Sequence, residues 1–320
     1  MKAVIGLDTS CYTTSVAAAS LQDGRILHCR QLLSAQGTPG LRQSEALFRH
    51  VKNLPGLMDE LFAMEEITPA AFCASTTPRP VEGSYMPVFL AGESLGRSLA
   101  AAFKVPFLKT SHQEGHITAG LLESGLYASS GEPFIALHLS GGTTELILCG
   151  EKQSLVGGTL DITLGQLIDR AGVLLGMTFP CGPQLEKLAI AQSAEGAAKG
   201  LISSSSGGLH CSLSGAETQM RKLIGALSPA ELALEVFSCA ERTISKLIVF
   251  AAKELSINNF LLVGGVASSG FLRESLISRV AGRSHKIKLY FGKKEYCSDN
   301  AVGVALNGAK IFRDSIQQHV

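Results

Sequence analysis

The chain has 320 residues, and its 28 Lys and Arg against 27 Asp and Glu give a formal net charge of +1 at pH 7. A hydrophobic content of 46% supports a sizeable core, enough for one large or two ordinary domains. The charge excludes a globally basic nucleic-acid binder, and no apolar run approaches the roughly 18 residues that cross a bilayer, so we expect no membrane association and a cytoplasmic location.

The cysteines are scattered, and no CxxC pair occurs among them. This spacing favours reduced thiols in the core or in loops over a disulfide framework or a structural zinc site. The eight positions are Cys11, Cys29, Cys73, Cys149, Cys181, Cys211, Cys239 and Cys297.

The chain opens with a strand, "KAVIGLDTS", a polar turn and a second apolar strand, "SVAAASL". The same pattern returns in "FIALHLSGGTTELILCG", so one half of the chain echoes the other. Apolar spacing at three and four residues predicts helices over 43–64, 90–103, 230–255 and 300–312, and strands "AAFCAST", "PFLKT", "NNFLLVGG" and "HKIKLYF" lie between them. This alternation predicts an α/β protein with buried sheets and a nucleotide or phosphoester in a cleft between two lobes.

Three turns at strand ends are rich in Gly, Ser and Thr: residues 8–14, 139–145 and 263–270. Each offers unobstructed backbone N–H groups and hydroxyls to an anion. Each alone is more often a plain turn, but three of them in a duplicated α/β chain favour a nucleotide site. None matches a P-loop or GxGxxG. The third precedes a predicted helix, whose N-terminus adds to anion binding.

In "TSHQEGHITAG", His112 and His116 are four residues apart and share one helix face, which suits a metal. Asp299 in "CSDNAVG" is the best candidate for a third ligand, but a structural histidine pair and an N-cap role for Asp299 or Ser298 stay open. Glu114 stands two residues after the first histidine instead of one, which disfavours a zincin-type protease.

Two further segments stand out in the sequence. "SSSSGG" at residues 203–208 predicts a mobile loop. A local basic patch, or only a solvated strand edge, is formed by Arg283, His285, Lys286, Lys288, Lys293 and Lys294.

Six motifs occur in the order and spacing of the TsaD family of tRNA threonylcarbamoyladenosine transferases, once described as O-sialoglycoprotein endopeptidases (Gcp). They are "SHQEGHITAG", "LSGGTTEL", "GQLIDRAGVLLGMTFPCGP", "CSLSGAET", "LLVGGVASSGFLR" and "CSDNAVGVALNG". The resemblance runs from Ile5 to about Ile311 and implies the duplicated actin-like, sugar-kinase-like, Hsp70-like ATPase (ASKHA) fold. It also implies an N-terminal lobe of residues 1–105, completed by a C-terminal helix at about 300–320, and a C-terminal lobe of residues 106–299.

The resemblance implies one divalent metal, iron or zinc, held by His112, His116 and Asp299. It implies a ligand, ATP, AMP or an acyl-adenylate, bound by Leu139, Ser140, Gly141, Gly142, Thr143, Asp169, Gly182, Gly264, Gly265 and Ser269. We take Asp8 and Asp169 as the candidate catalytic carboxylates. The implied reaction passes a threonylcarbamoyl group from its adenylate to the exocyclic amine of the adenosine beside the anticodon of tRNA.

The family also implies partners: tRNA, a smaller actin-like paralogue and an ATPase subunit. A helical face of the N-terminal lobe usually makes the subunit contact, and the apolar positions of residues 41–61 suit either that contact or the core.

Several residues depart from the family pattern around the implied substrate. Tyr12 and Thr13 replace acids, Thr143 a histidine, Ile162 an Asp, Gln166 a Glu, Ser269 an Asn and Glu217 a Lys, and the early Pro-Gly-Leu loop reads "TPRPVEGSYM". Losing a base or charge partner costs roughly a hundred- to ten-thousandfold in rate. Three functions therefore stay open: a weakened transferase, a catalytically degenerate partner or regulator that binds metal and nucleotide, and an ATP-dependent carbamoyltransferase or kinase acting on a small molecule.

Overall fold

A computed structural model describes residues 1–10, 12–33, 41–126 and 131–317. Contacts divide the chain into two units, Met1–Leu122 with Ser298–Val320, and Glu123–Cys297. The Cys11 thiol and the last three residues of the expected C-terminal helix lie outside the described residues.

The first unit is built on a five-stranded sheet in the order β3-β2-β1-β4-β5. β1 and β2 are buried almost throughout, because helices cover the sheet on both faces. The strands are β1 (Lys2–Ser10), β2 (Thr13–Ser20), β3 (Ile26–Leu32), β4 (Thr68–Thr77) and β5 (Phe107–Ser111), and the helices are α1 (Gln43–Met64), α2 (Phe89–Phe103), α3 (His112–Leu121) and α10 (Val302–Gln317).

The second unit is built on a seven-stranded sheet in the order β12-β11-β6-β7-β8-β10-β9. Its strands are β6 (Phe134–Leu139), β7 (Thr144–Cys149), β8 (Gln153–Thr159), β9 (Ser205–Gly207), β10 (His210–Ser212), β11 (Asn259–Val263) and β12 (Lys288–Phe291). Its helices are α4 (Leu164–Leu174), α5 (Gly182–Glu195), α6 (Ser214–Leu223), α7 (Pro229–Leu255), α8 (Gly270–Ala281) and α9 (Lys294–Cys297).

Five strands of each unit are connected in the same way. In the first unit β1 pairs antiparallel with β2, β2 antiparallel with β3, β1 parallel with β4, and β4 parallel with β5. In the second unit β6, β7, β8, β11 and β12 repeat these relations in the same order. The echo between the two halves of the sequence is therefore a duplication of one sheet topology, and the α/β prediction is confirmed.

The helix predicted over 43–64 has the bounds of α1, and α10 begins at Val302 rather than residue 300. Strands β3, β8, β9 and β10 were not predicted, because they are short or half-exposed and lack a clear apolar pattern. The 203–208 segment is not simply a loop, since Ser205–Gly207 form β9 and pair antiparallel with β10.

The first unit extends to Leu122, beyond the boundary at 105 that the sequence indicates. β5 pairs in parallel with β4, and α3 packs against α10, so both elements belong to the first sheet. Contacts therefore place the residues after 105 with the N-terminal strands.

Helices α10 and α3 pack so closely that their backbones are in contact. A Cβ atom on Gly303 would lie 1.8 Å from the carbonyl oxygen of Gly115. Only glycine permits this contact, and it brings the start of α10 beside the first turns of α3.

Two findings concern the chain as a whole. No helix in the described ranges is both long and apolar enough to cross a membrane. The seven described cysteines are buried free thiols.

We expect Gly303→Ala to lower the free energy of unfolding by about 2 kcal/mol or more, because the added methyl group collides with backbone that cannot move aside. The matched control is Gly56→Ala in α1, where a Cβ meets nothing within 4 Å and alanine stabilises a helix by about 0.5–1 kcal/mol. Urea unfolding of both variants measures the difference. Equal stability of the two variants would contradict the close helix contact.

Candidate functional site

The first turn of α3 carries the histidine pair and is fixed by a capping box. Ser111 Oγ accepts a hydrogen bond from Glu114 N at 3.2 Å, and Glu114 Oε2 accepts one from Ser111 N at 2.8 Å. The Glu114 side chain therefore caps the helix. This role agrees with the expectation that the motif does not belong to a zincin-type protease. The cap holds His112 and His116 one turn apart on the same face.

Asp299 completes a cluster of three possible ligands within the first unit. The Nε2 atom of His116 lies 3.1 Å from His112 Nε2 and 3.1 Å from Asp299 Oδ1. The third pair, His112 Nε2 and Asp299 Oδ1, is 3.6 Å apart. Asp299 is not the N-terminal cap of α10, since Asn300 Oδ1 accepts the bond from Val302 N at 3.0 Å.

The three donor atoms fit a metal ion. Bonds of about 2.0–2.2 Å in tetrahedral geometry place ligand atoms roughly 3.3 Å apart, which is close to the separations of these atoms. Two imidazole nitrogens and a carboxylate oxygen suit zinc or iron. The side chain of His116 is only 3% exposed, but those of His112 and Asp299 are 18% and 26% exposed, so one side of the cluster stays accessible to a substrate atom.

Asp8 supports the cluster from behind. His112 Nδ1 donates to Asp8 Oδ1 at 3.0 Å, and the hydroxyl of Ser75 donates to the same oxygen. This bond leaves Nε2 of His112 facing the other ligands, which is the carboxylate–histidine arrangement common at metal sites. Asp8 is fully buried, and its contact with the cluster is through His112.

Three polar residues near the cluster were missed by the sequence analysis. Ser10 Oγ donates to Asp299 Oδ2 at 3.0 Å, and Ser75 bonds to Asp8. His50 is fully buried on α1, with Nδ1 at 2.8 Å from Thr14 Oγ1, and burial lowers the pKa of His50. Ser75 and His50 lie on a strand and a helix whose apolar pattern indicated only core, whereas Ser10 lies in the segment 8–14 that the sequence indicated as an anion-binding turn. Contacts between elements reveal that these residues surround the cluster.

Charges in the cluster shift the pKa values of its members in opposite directions. Burial disfavours the charged form of His112, but the carboxylates of Asp8 and Asp299 outweigh burial and hold the pKa of His112 well above its ordinary value. Burial likewise opposes the charge of Asp299, but bonds from His112 and His116 hold the pKa of Asp299 well below its ordinary value. The metal-free cluster therefore binds a proton strongly at neutral pH.

The loop Leu139–Thr143 connects β6 and β7 in the second unit. Ser140 Oγ accepts hydrogen bonds from Gly142 N at 3.2 Å and Thr143 N at 3.1 Å, and it lies 2.8 Å from Thr143 Oγ1. Nothing lies within 4 Å of a Cβ built on Gly141 or Gly142, so their backbone is open. An anion that binds the amides of this loop has to displace the serine hydroxyl.

The turn after β11 packs against this loop. Gly264 has a φ of +95°, and a Cβ there would lie 2.4 Å from the carbonyl oxygen of Leu139. Ser269 caps α8 by accepting from Leu272 N at 3.1 Å, and it donates to Glu186 Oε1 at 2.9 Å. The predicted residues 139–143, 264, 265 and 269 are thus brought to one end of the second sheet, and Glu186 is a member that the sequence analysis missed.

Asp169 and Gly182, separated by a loop in sequence, are adjacent in the structure. Asp169 Oδ1 accepts from Cys181 N at 2.8 Å at the start of α5. Burial raises the pKa of Asp169, although bonds from the backbone of Cys181 and Gly182 oppose this rise. A half-buried carboxylate with a raised pKa is a better proton acceptor than an ordinary aspartate.

Several residues that depart from the family pattern have structural partners in the second unit. Gln166 forms a capping box with Thr163 at the start of α4. Glu217 pairs with Arg170 and with Arg221. Asp161, beside the departing Ile162, does not itself depart from the pattern; it accepts bonds from Leu213 N at 2.7 Å and Ser214 Oγ at 2.7 Å, so it holds the start of α6.

Comparison with protein families gives one match across most of the chain. The family model described as "TsaD: tRNA N6-adenosine threonylcarbamoyltransferase" matches residues 27–306. A protein of that name from Prochlorococcus marinus (strain MIT 9303) is 31% identical over 94% of this chain and 88% of its own length. Another of that name, from Thiobacillus denitrificans, is 29% identical over 96% of this chain and 90% of its own.

Solved structures share the fold at low identity. A crystal structure of full-length HypF, in a phosphate- and nucleotide-bound form, superposes with a TM-score of 0.64 at 13% identity, covering 97% of this chain and 46% of HypF. A ROK hexokinase from Thermus thermophilus superposes with a TM-score of 0.53 at 14% identity, covering 98% of this chain and 99% of its own. These similarities confirm the expected ASKHA fold, and at such identities they establish the fold alone.

The pKa shifts predict how the stability of metal-free protein depends on pH. His112 is charged in the folded state above its ordinary pKa of 6.5, so its contribution is complete below pH 6.5 and is lost as pH rises through the raised folded value. Asp299 contributes above its ordinary value of 3.8, and that contribution is lost as pH falls.

We therefore expect chelator-treated protein to become less stable as pH rises from 6.5. The control is His112→Gln, which cannot titrate and should flatten the profile in this range. Urea unfolding over a pH series measures both, and a wild-type profile parallel to that of the variant would contradict the charge assignment.

Proposed function

Because the chain belongs to the TsaD family of tRNA N6-adenosine threonylcarbamoyltransferases, we propose that it transfers a threonylcarbamoyl group from threonylcarbamoyl-AMP to the adenosine beside the anticodon of tRNA. The observation that carries the proposal is the convergence of His112, His116 and Asp299, the residues to which the family resemblance assigns the metal. Contact across the first unit, rather than sequence proximity, brings Asp299 to the two histidines.

We propose that His112, His116 and Asp299 would hold one iron or zinc ion, which would supply Lewis-acid polarisation of a substrate oxygen. Asp8 keeps His112 in the orientation that presents Nε2, and the bond from Ser10 does the same for Asp299. The side chains of His112 and Asp299 are partly exposed, so the cluster stays accessible to a substrate oxygen.

In the second unit, we propose that the 139–143 loop and the turn at Gly264 and Gly265 bind the AMP and carbonyl portions of the adenylate. In the reaction, the adenosine amine forms a bond to the carbamoyl carbon, the bond from that carbon to the phosphate oxygen breaks, AMP leaves, and the amine loses a proton. Thr143 offers a hydroxyl donor but no base at neutral pH. Asp169, with its raised pKa, is the proposed acceptor of that proton.

A degenerate paralogue that binds metal and nucleotide without turnover is the second candidate. The observation that favours it is that Gln166 and Glu217 are tied into a capping box and ion pairs instead of being free for catalysis. The third candidate, an enzyme acting on a small molecule, has less support, because the similarity to a hexokinase concerns the fold alone.

We propose that the outer face of α1 contacts a partner subunit, such as the smaller actin-like paralogue. The apolar positions of this helix divide between two faces. Leu54, Leu57 and Leu61 are buried in the core, whereas Phe48 is 69% exposed and Val51 is 58% exposed. Exposed apolar side chains in neighbouring turns are typical of a protein interface.

We expect the purified protein to hold one metal ion per chain and His116→Ala to lose it, because a nearly buried ligand is removed. Asp8→Asn should weaken the metal by about ten- to a hundredfold, as for other groups that orient a ligand. Elemental analysis after dialysis against graded chelator measures both, with exposed His210→Ala as control. Unchanged metal content in His116→Ala would contradict the site.

Transfer is tested with threonylcarbamoyl-AMP, unmodified tRNA and the holoprotein, alone and with the proposed partner subunits. We expect Asp169→Asn to lower kcat about a hundred- to ten-thousandfold, because the proton acceptor is lost, with metal content unchanged. Thr143→His should raise kcat by restoring the family residue. Wild-type protein that binds metal and AMP but forms no modified nucleoside would establish the degenerate candidate instead.

A further inference from the structure

A cavity of about 290 Å³ lies in the second unit, in a region to which no part of the proposed reaction is assigned. It is lined by the hairpin of β9 and β10, by one face of α7, and by Arg283, two residues beyond the end of α8. The residues lining it that carry the argument are Gly207, Gly208, Lys246, Phe250, Lys253 and Arg283.

The cations of this cavity lie on one surface. Lys246, Phe250 and Lys253 are spaced at i, i+4 and i+7 on α7, so they share a face and the two lysines are about 10 Å apart along the helix axis. Arg283 also lines the cavity, and it belongs to the basic segment that the sequence left open as a patch or a solvated strand edge. No acidic side chain is among the residues that line the cavity.

These charges differ from those of nearby basic residues. Arg279 pairs with Glu241, Lys199 with Glu231, and Lys293 with Glu123 and Glu295. Within the described residues, no ion pair is found for Lys246, Lys253 or Arg283. The cavity therefore concentrates positive charge that the protein leaves uncompensated, in a chain of net charge +1.

An aromatic ring stands between the two lysines. Phe250 is 40% exposed, and a Cβ on Gly208 would lie 3.6 Å from its ring, so the hairpin glycine borders the ring without covering it. An accessible aromatic flanked by cations is a surface on which a nucleic-acid base can stack while its phosphates meet the lysines.

We propose that this cavity binds the RNA backbone of the tRNA substrate, at nucleotides other than the one that reacts. It takes a phosphodiester at Lys246, Lys253 and Arg283, and one base against Phe250. The volume suits one nucleotide rather than a longer segment. The inference rests on the proposed function only for the identity of the RNA, since none of the residues that line the cavity belongs to the 139–143 loop or to the metal cluster.

The test is the binding of unmodified tRNA by the full chain, measured by fluorescence anisotropy over a salt series. We expect Lys246→Ala with Lys253→Ala to raise Kd by about tenfold or more and to reduce the slope of log K against log salt by about one to two. The matched control, Lys152→Ala with Lys222→Ala, removes the same charge from exposed positions of the second unit and should change neither quantity.

Phe250→Leu keeps the apolar character but removes the stacking plane, and should raise Kd about fivefold or more with the salt slope unchanged. Thermal unfolding of all variants should match wild type, because the changed side chains are exposed. Equal tRNA affinity and slope for the cavity and control pairs would overturn the proposal, as would wild-type protein that binds no tRNA at low salt.

Two further binding measurements distinguish RNA from the other possible ligands of this cavity. Inorganic phosphate that binds wild type but not the cavity variant, with tRNA binding unaffected, would mean a free-anion site and overturn the RNA assignment. If the cavity variant loses binding to a partner subunit but keeps its affinity for tRNA, the cavity binds an acidic protein surface and the RNA assignment is overturned. If tRNA binding depends on the cavity while no threonylcarbamoyl transfer occurs, the proposed reaction fails and this site stands.

Discussion

The backbone contact between Gly303 and Gly115 is the constraint on which the candidate metal cluster depends. It lets α10 approach α3 without side chains in between, and the residue that lies three positions before α10 is thereby set against the histidines. A bulkier residue at position 303 would collide with the backbone of α3, and the two helices would have to separate, which would move Asp299 away from ligand distance. The position of Asp299 in the cluster therefore depends on glycine residues that are not themselves part of the cluster.

Charge balance within the cluster follows from that packing. Asp8 and Asp299 are held on opposite sides of His112, so two carboxylates and two imidazoles share a space that excludes most water. Burial opposes the charged forms of His112 and Asp299, but the opposite charges beside them raise the pKa of His112 and lower the pKa of Asp299. A divalent cation relieves the same imbalance as the proton on His112, so metal binding is expected to release a proton and to strengthen as pH rises.

In the second unit, the candidate substrate-binding residues and the residues that depart from the family pattern have separate structural roles. Loops at the ends of β6 and β11 contact through Gly264, and Asp169 joins the start of α5, so candidate substrate groups gather at one end of the sheet. Residues that depart from the family pattern, such as Gln166 and Glu217, have become part of helix caps and ion pairs. Asp169, in contrast, is half-buried at the start of α5, and burial raises its pKa.

The sequence by itself determined the α/β class, the duplication, α1 with its bounds, and the histidine pair, because period, turn residues and i, i+4 spacing are local signals. It also supplied the ligand set through resemblance in ordered motifs. Only the tertiary structure decided that Ser10, Ser75 and His50 surround the cluster, that Asp8 supports His112 from behind, and that Phe250 lies between two unpaired lysines. These relations join residues far apart in the chain, and sheet register and helix packing, which no local pattern encodes, determine which of them meet.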